Sequence, residues 1–182
     1  MVRMRNGVQK MISELRVGDW VLAADEKGTL RFSQVIMKTH EDPDFEQKFQ
    51  LIQTKTGRNL TLTDTHLIYK AEVYGLKQDL KEIVSSKPVF AMNIKKGDFV
   101  LVNDEINGMM KDEVVSNDIV IRKGISAPVT TYGNIVVDDI LASCYINYEH
   151  SFVHMIFGPF RWFHYTKNLL ARITKMQNNG FF

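Results

Sequence analysis

The sequence predicts an all-β fold arranged as one main domain. Short strand-like runs follow one another with turn residues between them, and Val, Ile, Thr and aromatic residues dominate those runs. Helical signal is nearly absent until the end of the chain. The chain has 182 residues, of which 45% are hydrophobic. That length and composition suffice for one sizeable core without disulfide or metal support.

The first predicted element is a hairpin, with strands at residues 19–24 and 30–37 joined by the turn Asp-Glu-Lys-Gly at 25–28. The acidic stretch that follows, from Thr39 to Asp44, has the composition of a solvated loop. The remaining predicted strands are residues 48–54, 59–63, 66–71, 99–102, 113–122, 124–130, 134–137 and 142–147.

An eight-residue segment occurs twice in the chain. Residues 15–22 read Leu-Arg-Val-Gly-Asp-Trp-Val-Leu, and residues 94–101 read Ile-Lys-Lys-Gly-Asp-Phe-Val-Leu. Gly permits a turn geometry closed to other residues, and the following Asp can accept hydrogen bonds from local backbone N–H groups. The alternative is a common turn found twice by chance. Because the flanking apolar residues also match in order, the pattern favours an internal duplication.

The end of the chain has a different pattern. Pro159 suits the first turn of a helix, and a predicted amphipathic helix follows it. The segment 148–182 is rich in aromatic and basic residues, and Phe160, Trp162 and Phe163 are its candidate contacts to a membrane interface or an apolar ligand. The alternative is a helix that docks on the β domain through ordinary core contacts.

Charge and composition narrow the class of partner. The chain has 23 Lys and Arg against 21 Asp and Glu, so its formal net charge is +2 and gives no support for nucleic-acid binding. No run approaches the roughly 20 apolar residues of a membrane span, and the first seven residues lack the apolar core of a signal peptide. The one cysteine, Cys144, cannot form an internal disulfide.

Cys144 and a Thr-x-x-His string are the candidate catalytic groups. A thiol at the end of one strand-like run and the pair Thr63 and His66 around the end of another are residue types that acyl transfer at a cysteine requires. Each has a structural alternative: a small buried hydrophobe for Cys144, a hydrogen-bonding core residue for His66 and a β-former for Thr63. We identify no metal site.

Several motifs in order resemble a known family. They are Gly18-Asp19-x-Val21-Leu22, Thr63-x-x-His66, Ala127-Pro128-Val129-Thr130, Gly133-Asn134-Ile135-Val136-Val137 and Ala142-Ser143-Cys144-Tyr145. Together they resemble the Hint autoprocessing module of Hedgehog proteins, which is related to inteins, with nematode Hedgehog-related proteins as the nearest subgroup. The resemblance implies a Hint fold with a pseudo-two-fold repeat over residues 1–147. It also implies that residues 148–182, with a short α-helical extension, begin a sterol-recognition-like region.

The resemblance also implies a chemistry. In that family the first residue of the module is a cysteine, whose thiolate converts the preceding amide into a thioester, and a sterol hydroxyl then displaces the thioester. His66 matches the histidine that assists departure of the amide nitrogen, and Thr63 matches the threonine that polarises the same amide. General acid–base assistance of this kind is worth roughly 10²–10⁴-fold in rate. Cys144 matches the second family cysteine near the site.

Two positions depart from the family pattern. The nucleophilic cysteine is expected about six residues upstream of Met1, so we expect these 182 residues alone to be inactive. His40 stands where sterol-transferring members have an aspartate, with Asp42 close by. An imidazole can accept a proton at neutral pH, which makes His40 and Asp42 the candidates for sterol activation. The alternative is that both belong to the solvated acidic loop.

The resemblance implies no cofactor, with a cholesterol-like sterol as co-substrate. The expected partners are the chain's own upstream segment, bound in cis, and a sterol or membrane interface. We expect a monomer that does not bind nucleic acid, carried in the secretory pathway or outside the cell. Two rival interpretations are a catalytically inactive β scaffold that binds a lipid or a protein partner, and a structural fragment with no activity.

Overall fold

The computed structural model describes residues 1–71 and 88–146, without the side chains of His40 and Ile146. Helix within these ranges consists of two single 3₁₀ turns, Ile12–Glu14 and Ala91–Asn93. The strands are β1 (Val2–Arg3), β2 (Gln9–Lys10), β3 (Trp20–Ala24), β4 (Leu30–Thr54), β5 (Asn59–Thr63), β6 (His66–Ile68), β7 (Lys70–Ala71), β8 (Val89–Phe90), β9 (Phe99–Asp104), β10 (Gly108–Thr130), β11 (Asn134–Val137) and β12 (Ile140–Ile146). The all-β prediction is confirmed. The predicted helical extension lies outside the described residues.

The strands form one large sheet and one small one. Strands β1 and β2 pair with each other. The large sheet has ten strands, with the main order β3-β4-β10-β9-β12-β6-β8, while β5 pairs with β4, β7 with β9 and β11 with β12. The described pairings are antiparallel. The consecutive strands that pair, β1–β2, β3–β4, β4–β5, β9–β10 and β11–β12, join through short turns.

The acidic stretch is part of a strand, which corrects the predicted loop. Strand β4 runs unbroken through residues 39–44, and β10 runs unbroken past Gly124, where we predicted a break. Asp42 pairs with Ile125 and Glu41 with Ser126. Pairing between β4 and β10 satisfies the backbone hydrogen bonds of this stretch, and its exposed charged side chains remain solvated. Register shifts on either side of these pairs absorb the irregularity.

The duplication extends to individual hydrogen bonds. The Gly18 N–H donates to the Val35 carbonyl at 2.8 Å, and the Gly97 N–H donates to the Val114 carbonyl at 2.9 Å. Gly97 follows Gly18, and Val114 follows Val35, by the same 79 residues. Both glycines have positive φ, +100° and +88°, which explains why this residue type occurs in both copies. The repeated bonds support the predicted internal repeat.

The aspartates after these glycines also have equivalent contacts. Asp19 Oδ2 accepts the Arg16 N–H at 3.0 Å, and Asp98 Oδ2 accepts the Lys95 N–H at 2.9 Å. Each carboxylate therefore closes the turn that precedes its strand, β3 in the first copy and β9 in the second.

The main core cluster draws side chains from both repeats, and it also includes the start of the chain. The largest fully buried side chains of the domain include Leu15, Ile52, Leu60, Ile68, Tyr69, Leu101, Ile140 and Leu141. Val2 is also fully buried and joins the main apolar cluster, so the first strand is fixed against the body of the domain. The buried Asn134 side chain ties β11 to β3 by bonding both the N–H and the carbonyl of Ala24, at 2.8 and 2.9 Å.

Candidate active site

One cavity brings together the residues that the sequence motifs singled out. Thr63, His66 and Cys144 line a cavity of about 270 Å³, and Met1 lines the same cavity. Met1, the neighbouring pair Thr63 and His66, and Cys144 are far apart in sequence, so only the tertiary fold can bring these three parts of the chain together. Their catalytic roles stay predictions.

One turn and one strand pairing place Thr63, His66 and Cys144 near one another. Strand β5 ends at Thr63 and β6 begins at His66, so the two residues flank a two-residue turn. Strand β12 is antiparallel to β6, with Ile146 opposite His66 and Ala142 opposite Ile68. The segment between these two pairs, which contains Cys144, therefore passes beside His66.

His66 is a neutral base with a defined tautomer. Its Nε2 lies 2.8 Å from the Ser143 carbonyl oxygen. A carbonyl can only accept a hydrogen bond, so Nε2 carries the hydrogen and Nδ1 carries the lone pair of the neutral ring. Desolvation lowers the pKa of His66 below its ordinary value of 6.5, although the bond to Ser143 opposes the shift. The ring is consequently neutral at pH 7 and can exchange a proton through Nδ1.

Thr63 carries a buried hydroxyl that has no hydrogen-bond partner among residues 1–71 and 88–146. The residue is only 8% exposed. An unpaired buried hydroxyl costs about 1–3 kcal/mol, so structures retain few of them. Its position in the cavity wall gives Thr63 Oγ1 a hydrogen bond to offer to a bound group.

The Cys144 sulfur belongs to a short chain of hydrogen bonds. Thr130 Oγ1 donates to the Asn134 carbonyl at 2.7 Å and lies 3.8 Å from Cys144 Sγ. Because a hydroxyl has one hydrogen and Thr130 gives it to Asn134, the contact with sulfur uses the thiol as donor. This contact places the Cys144 sulfur at the cavity wall beside Thr130.

The start of the chain is held beside the cavity by the turn between β11 and β12. The Asp138 N–H donates to the Met1 carbonyl at 2.8 Å. The Asp138 carboxylate pairs with the Met1 ammonium. Residue 1 is therefore fixed by both of its backbone polar groups.

Most of the remaining cavity wall is apolar. These side chains are Ile12, Phe49, Leu60, Leu62, Ile125, Pro128, Ile135 and Val137. An apolar wall lowers the local dielectric, which strengthens hydrogen bonds made by the few polar groups present.

The two candidates for sterol activation, His40 and Asp42, lie on strand β4. His40 pairs through its backbone with Ala127, which lines the cavity, and the His40 side chain is outside the described part. The Asp42 carboxylate accepts the N–H groups of Asp44 and Phe45 at 3.1 and 3.2 Å. In the described part of the chain, the cavity wall includes Ile125, the strand partner of Asp42, but not Asp42 itself.

The other sequence candidates fall outside the described residues. They are Phe160, Trp162 and Phe163, together with the proposed boundary between 1–147 and 148–182. In residues 1–71 and 88–146, no helix is long and apolar enough to cross a membrane. The same residues contain no group of three His, Cys, Asp or Glu side chains placed to hold a metal ion.

Sequence reasoning did not single out Ser143, Thr130 or Asp138 as site residues. Ser143 acts through its carbonyl, which every residue has, so its identity carries no signal. Thr130 entered the sequence analysis only as the last residue of the motif Ala127-Pro128-Val129-Thr130. Asp138 and Asp139 form a two-residue connection between apolar strands, which indicates a tight turn. The contact of that turn with Met1 depends on tertiary structure.

The sequence model of the Hint module matches residues 1–182, the whole chain. This chain belongs to the Hint module family. The family resemblance predicted from the motifs is therefore confirmed. Because the described strands fit the same fold, the prediction of a Hint architecture is confirmed as well.

Relatives include vertebrate and nematode proteins. The chain is 39% identical over 166 residues to the Tiggy-winkle hedgehog protein of Danio rerio, covering 90% of this chain and 38% of that protein. It is 32% identical over 162 residues to Protein qua-1 of Caenorhabditis elegans, covering 86% of this chain and 14% of that protein. The Hint module thus spans well under half the length of these relatives.

Solved inteins share the fold. A DnaB intein from Synechocystis sp. PCC 6803 superposes with a TM-score of 0.64 at 14% identity, covering 80% of this chain and 94% of the intein. The gp41-1 intein gives a TM-score of 0.57 at 17% identity, covering 78% of this chain and 91% of the intein. At such identities the comparison establishes the fold alone.

Proposed function

We propose that this Hint module carries out self-cleavage of a protein, beginning with an N-to-S acyl shift at a cysteine about six residues before Met1. One observation carries the proposal. Thr63 offers a buried hydroxyl that has no partner in the described part of the chain, and His66 offers a neutral imidazole, to the same cavity that Met1 lines. Membership of the Hint family, with its relatives among hedgehog proteins and inteins, supports the same reaction.

The first step forms a carbon–sulfur bond. The cysteine sulfur adds to the carbonyl carbon of the preceding residue, the thiol proton passes to His66 Nδ1, and the carbonyl π electrons move to oxygen. The Thr63 hydroxyl donates a hydrogen bond to the same amide as charge develops on it. Preorganised donors of this kind are worth about 10²–10³-fold in rate within a dry site.

The second step breaks the carbon–nitrogen bond. The tetrahedral intermediate collapses to a thioester as the departing nitrogen takes the proton from His66 Nδ1. Nδ1 is the atom suited to this transfer because Nε2–H already donates to the Ser143 carbonyl. Desolvation lowers the pKa of His66, so the protonated ring gives up its proton readily.

Cys144 serves this chemistry as a neighbouring thiol. It is buried, and its sulfur lies 3.8 Å from Thr130 Oγ1. It borders the cavity in which the thioester forms. We assign to it the role of packing beside the reacting atoms.

The final step transfers the acyl group. An alcohol adds to the thioester carbonyl, its proton leaves to a base, and the cysteine thiolate departs, so the upstream segment becomes an ester. We propose a cholesterol-like sterol as the alcohol, His40 with Asp42 as the candidate base, and Phe160, Trp162 and Phe163 as candidate contacts to the sterol or membrane. The hedgehog relatives support a location in the secretory pathway or outside the cell.

The test uses the full chain extended at its amino end by a reporter domain, a cysteine and a five-residue linker before Met1. Dithiothreitol attacks thioesters but not amides, so we expect it to release the reporter. Replacing the added cysteine with alanine should abolish release. His66→Ala should slow release by roughly 10²–10⁴-fold while the domain remains folded.

Two outcomes would contradict the proposal. Release that does not depend on the added cysteine would exclude an acyl shift at that residue. No release from a folded extended chain would favour the alternative, a β scaffold that binds a lipid or a protein partner through its apolar cavity.

A further inference from the structure

The two-residue turn between β11 and β12 has an unusual composition for its geometry. Val137 pairs with Ile140, and the residues between them, Asp138 and Asp139, have φ of +49° and +60°. Positive φ at both positions defines the tight hairpin turn that Asn-Gly or Gly-Gly adopts most easily. A non-glycine residue held at positive φ costs of order 1–3 kcal/mol. Asp is among the residues preferred at the first central position of this turn, so Asp138 suits the backbone, whereas Asp139 occupies the second position, where glycine is preferred.

Asp139 supports the turn from the side of β9. Its carboxylate accepts the Asn103 side-chain N–H at 2.8 Å, and its carbonyl accepts the Asn103 backbone N–H at 2.7 Å. Arg3 lies 3.8 Å from the same carboxylate. These contacts fix the turn to the body of the domain.

Asp138 has a different partner, residue 1. The Asp138 N–H donates to the Met1 carbonyl at 2.8 Å, and its carboxylate pairs with the Met1 nitrogen. In a chain extended beyond Met1 that nitrogen is a peptide N–H, which can donate to the same carboxylate. Asp138 can thus hold both backbone polar groups of residue 1.

Residue 1 is held at the wall of the cavity. Val2 is fully buried and anchored by β1, whereas Met1 lines the cavity with Thr63 and His66. The direction in which the chain leaves residue 1 sets where an upstream segment enters. Reactions of this type depend steeply on placement, and an error of about 1 Å can cost roughly a hundredfold in rate.

We propose that Asp138 is a positioning residue for the acyl shift, holding residue 1 so that the upstream cysteine and its peptide bond reach Thr63 and His66. This inference rests on the proposed function.

The test compares Asp138→Gly, Asp138→Asn and the matched control Asp139→Asn in the cysteine-extended chain. Asp138→Gly accepts the positive φ and keeps the backbone N–H but removes the side-chain acceptor. A turn with a purely structural role predicts that this variant is at least as stable and cleaves at least as fast. Positioning predicts release slower by about tenfold or more with an undiminished melting temperature.

The two asparagine variants test the contact of Asp138 with Met1 and the contact of Asp139 with Asn103 separately. Asp138→Asn keeps an acceptor oxygen and tolerates positive φ, so it should recover part of the rate that Asp138→Gly loses. Asp139→Asn should leave the rate unchanged, because it retains an acceptor for Asn103 and does not contact Met1. An Asp138→Gly variant that cleaves as fast as the unaltered extended chain would overturn the inference.

A second measurement is independent of catalysis. In the extended chain with its cysteine replaced by alanine, hydrogen exchange at the residue 1 amide should be slower than in the same chain with Asp138→Gly, by about tenfold. Equal exchange would overturn the positioning role even if the domain proved inactive. Slow exchange without any cleavage would instead contradict the proposed function and leave the contact with residue 1 supported.

Discussion

Replacing Thr63 with valine should stabilise the domain while slowing its chemistry. The Thr63 hydroxyl is buried and has no hydrogen-bond partner among residues 1–71 and 88–146. Valine has nearly the same shape and no polar atom. The substitution therefore removes a desolvated group that the folded state does not satisfy, and it leaves no new cavity.

The size of the effect follows from the cost of an unpaired buried hydroxyl, which is about 1–3 kcal/mol. Residual structure in the unfolded chain buries part of the same group, so we expect a gain of about 1–2 kcal/mol in the free energy of unfolding. For a domain of this size that corresponds to a rise in melting temperature of about 2–8 °C. In the cysteine-extended chain the same change should slow reporter release by about a hundredfold.

Thr130→Val is the matched control. Thr130 is equally buried, but its hydroxyl donates to the Asn134 carbonyl and contacts the Cys144 sulfur. Valine there leaves a buried carbonyl unpaired, so it should destabilise the domain by about 1–3 kcal/mol. The assay is chemical denaturation of both variants beside the unaltered chain. Equal destabilisation by the two substitutions would refute the reasoning, because it would mean that Thr63 has a partner.

Three further predictions concern the titration of the site and the stability of the fold. Burial lowers the pKa of His66 below 6.5, so folding favours the neutral ring. The resulting stability is present above pH 6.5 and is lost as the pH falls through the folded-state pKa. His66→Gln should flatten that part of a plot of unfolding free energy against pH, and an unchanged plot would be contrary evidence. Asn134→Ala removes both bonds to Ala24 and should cost about 3 kcal/mol in denaturant titrations; a loss below about 1 kcal/mol would show that the two bonds contribute little. Gly18→Ala and Gly97→Ala should each cost about 1–2 kcal/mol, since both glycines have positive φ, and clearly different costs would argue against equivalent turns.

Local sequence signals predicted much of the sheet. The turn at residues 25–28 and the strands that flank it were correct because turn chemistry and β-branched runs coincide there. The repeat around Gly18 and Gly97 was visible because positive φ restricts the residue type. The continuity of β4 and β10 was not predicted, because Pro43 and Gly124 are strong local signals for a break. Cross-strand pairing, with its register shifts, overrides those signals.

The candidate site was likewise predicted from the sequence only in part. Thr63, His66 and Cys144 were found because their side chains occur in motifs whose order matches a family. The hydrogen bond of His66 to the Ser143 carbonyl could not be predicted, since it joins residues 77 positions apart through a backbone group. The contact between Asp138 and Met1 joins residues 137 positions apart, so no local pattern indicates it.

The most direct test of the account is hydroxylamine trapping in the cysteine-extended chain. Hydroxylamine attacks a thioester at its carbonyl carbon and releases the reporter as a hydroxamic acid, which mass spectrometry distinguishes from a carboxylic acid. The account predicts a hydroxamate at the reporter's last residue, present with the added cysteine and absent with alanine. A released reporter that carries only a carboxylate, or a hydroxamate that forms equally with alanine, would contradict a cysteine-dependent acyl shift.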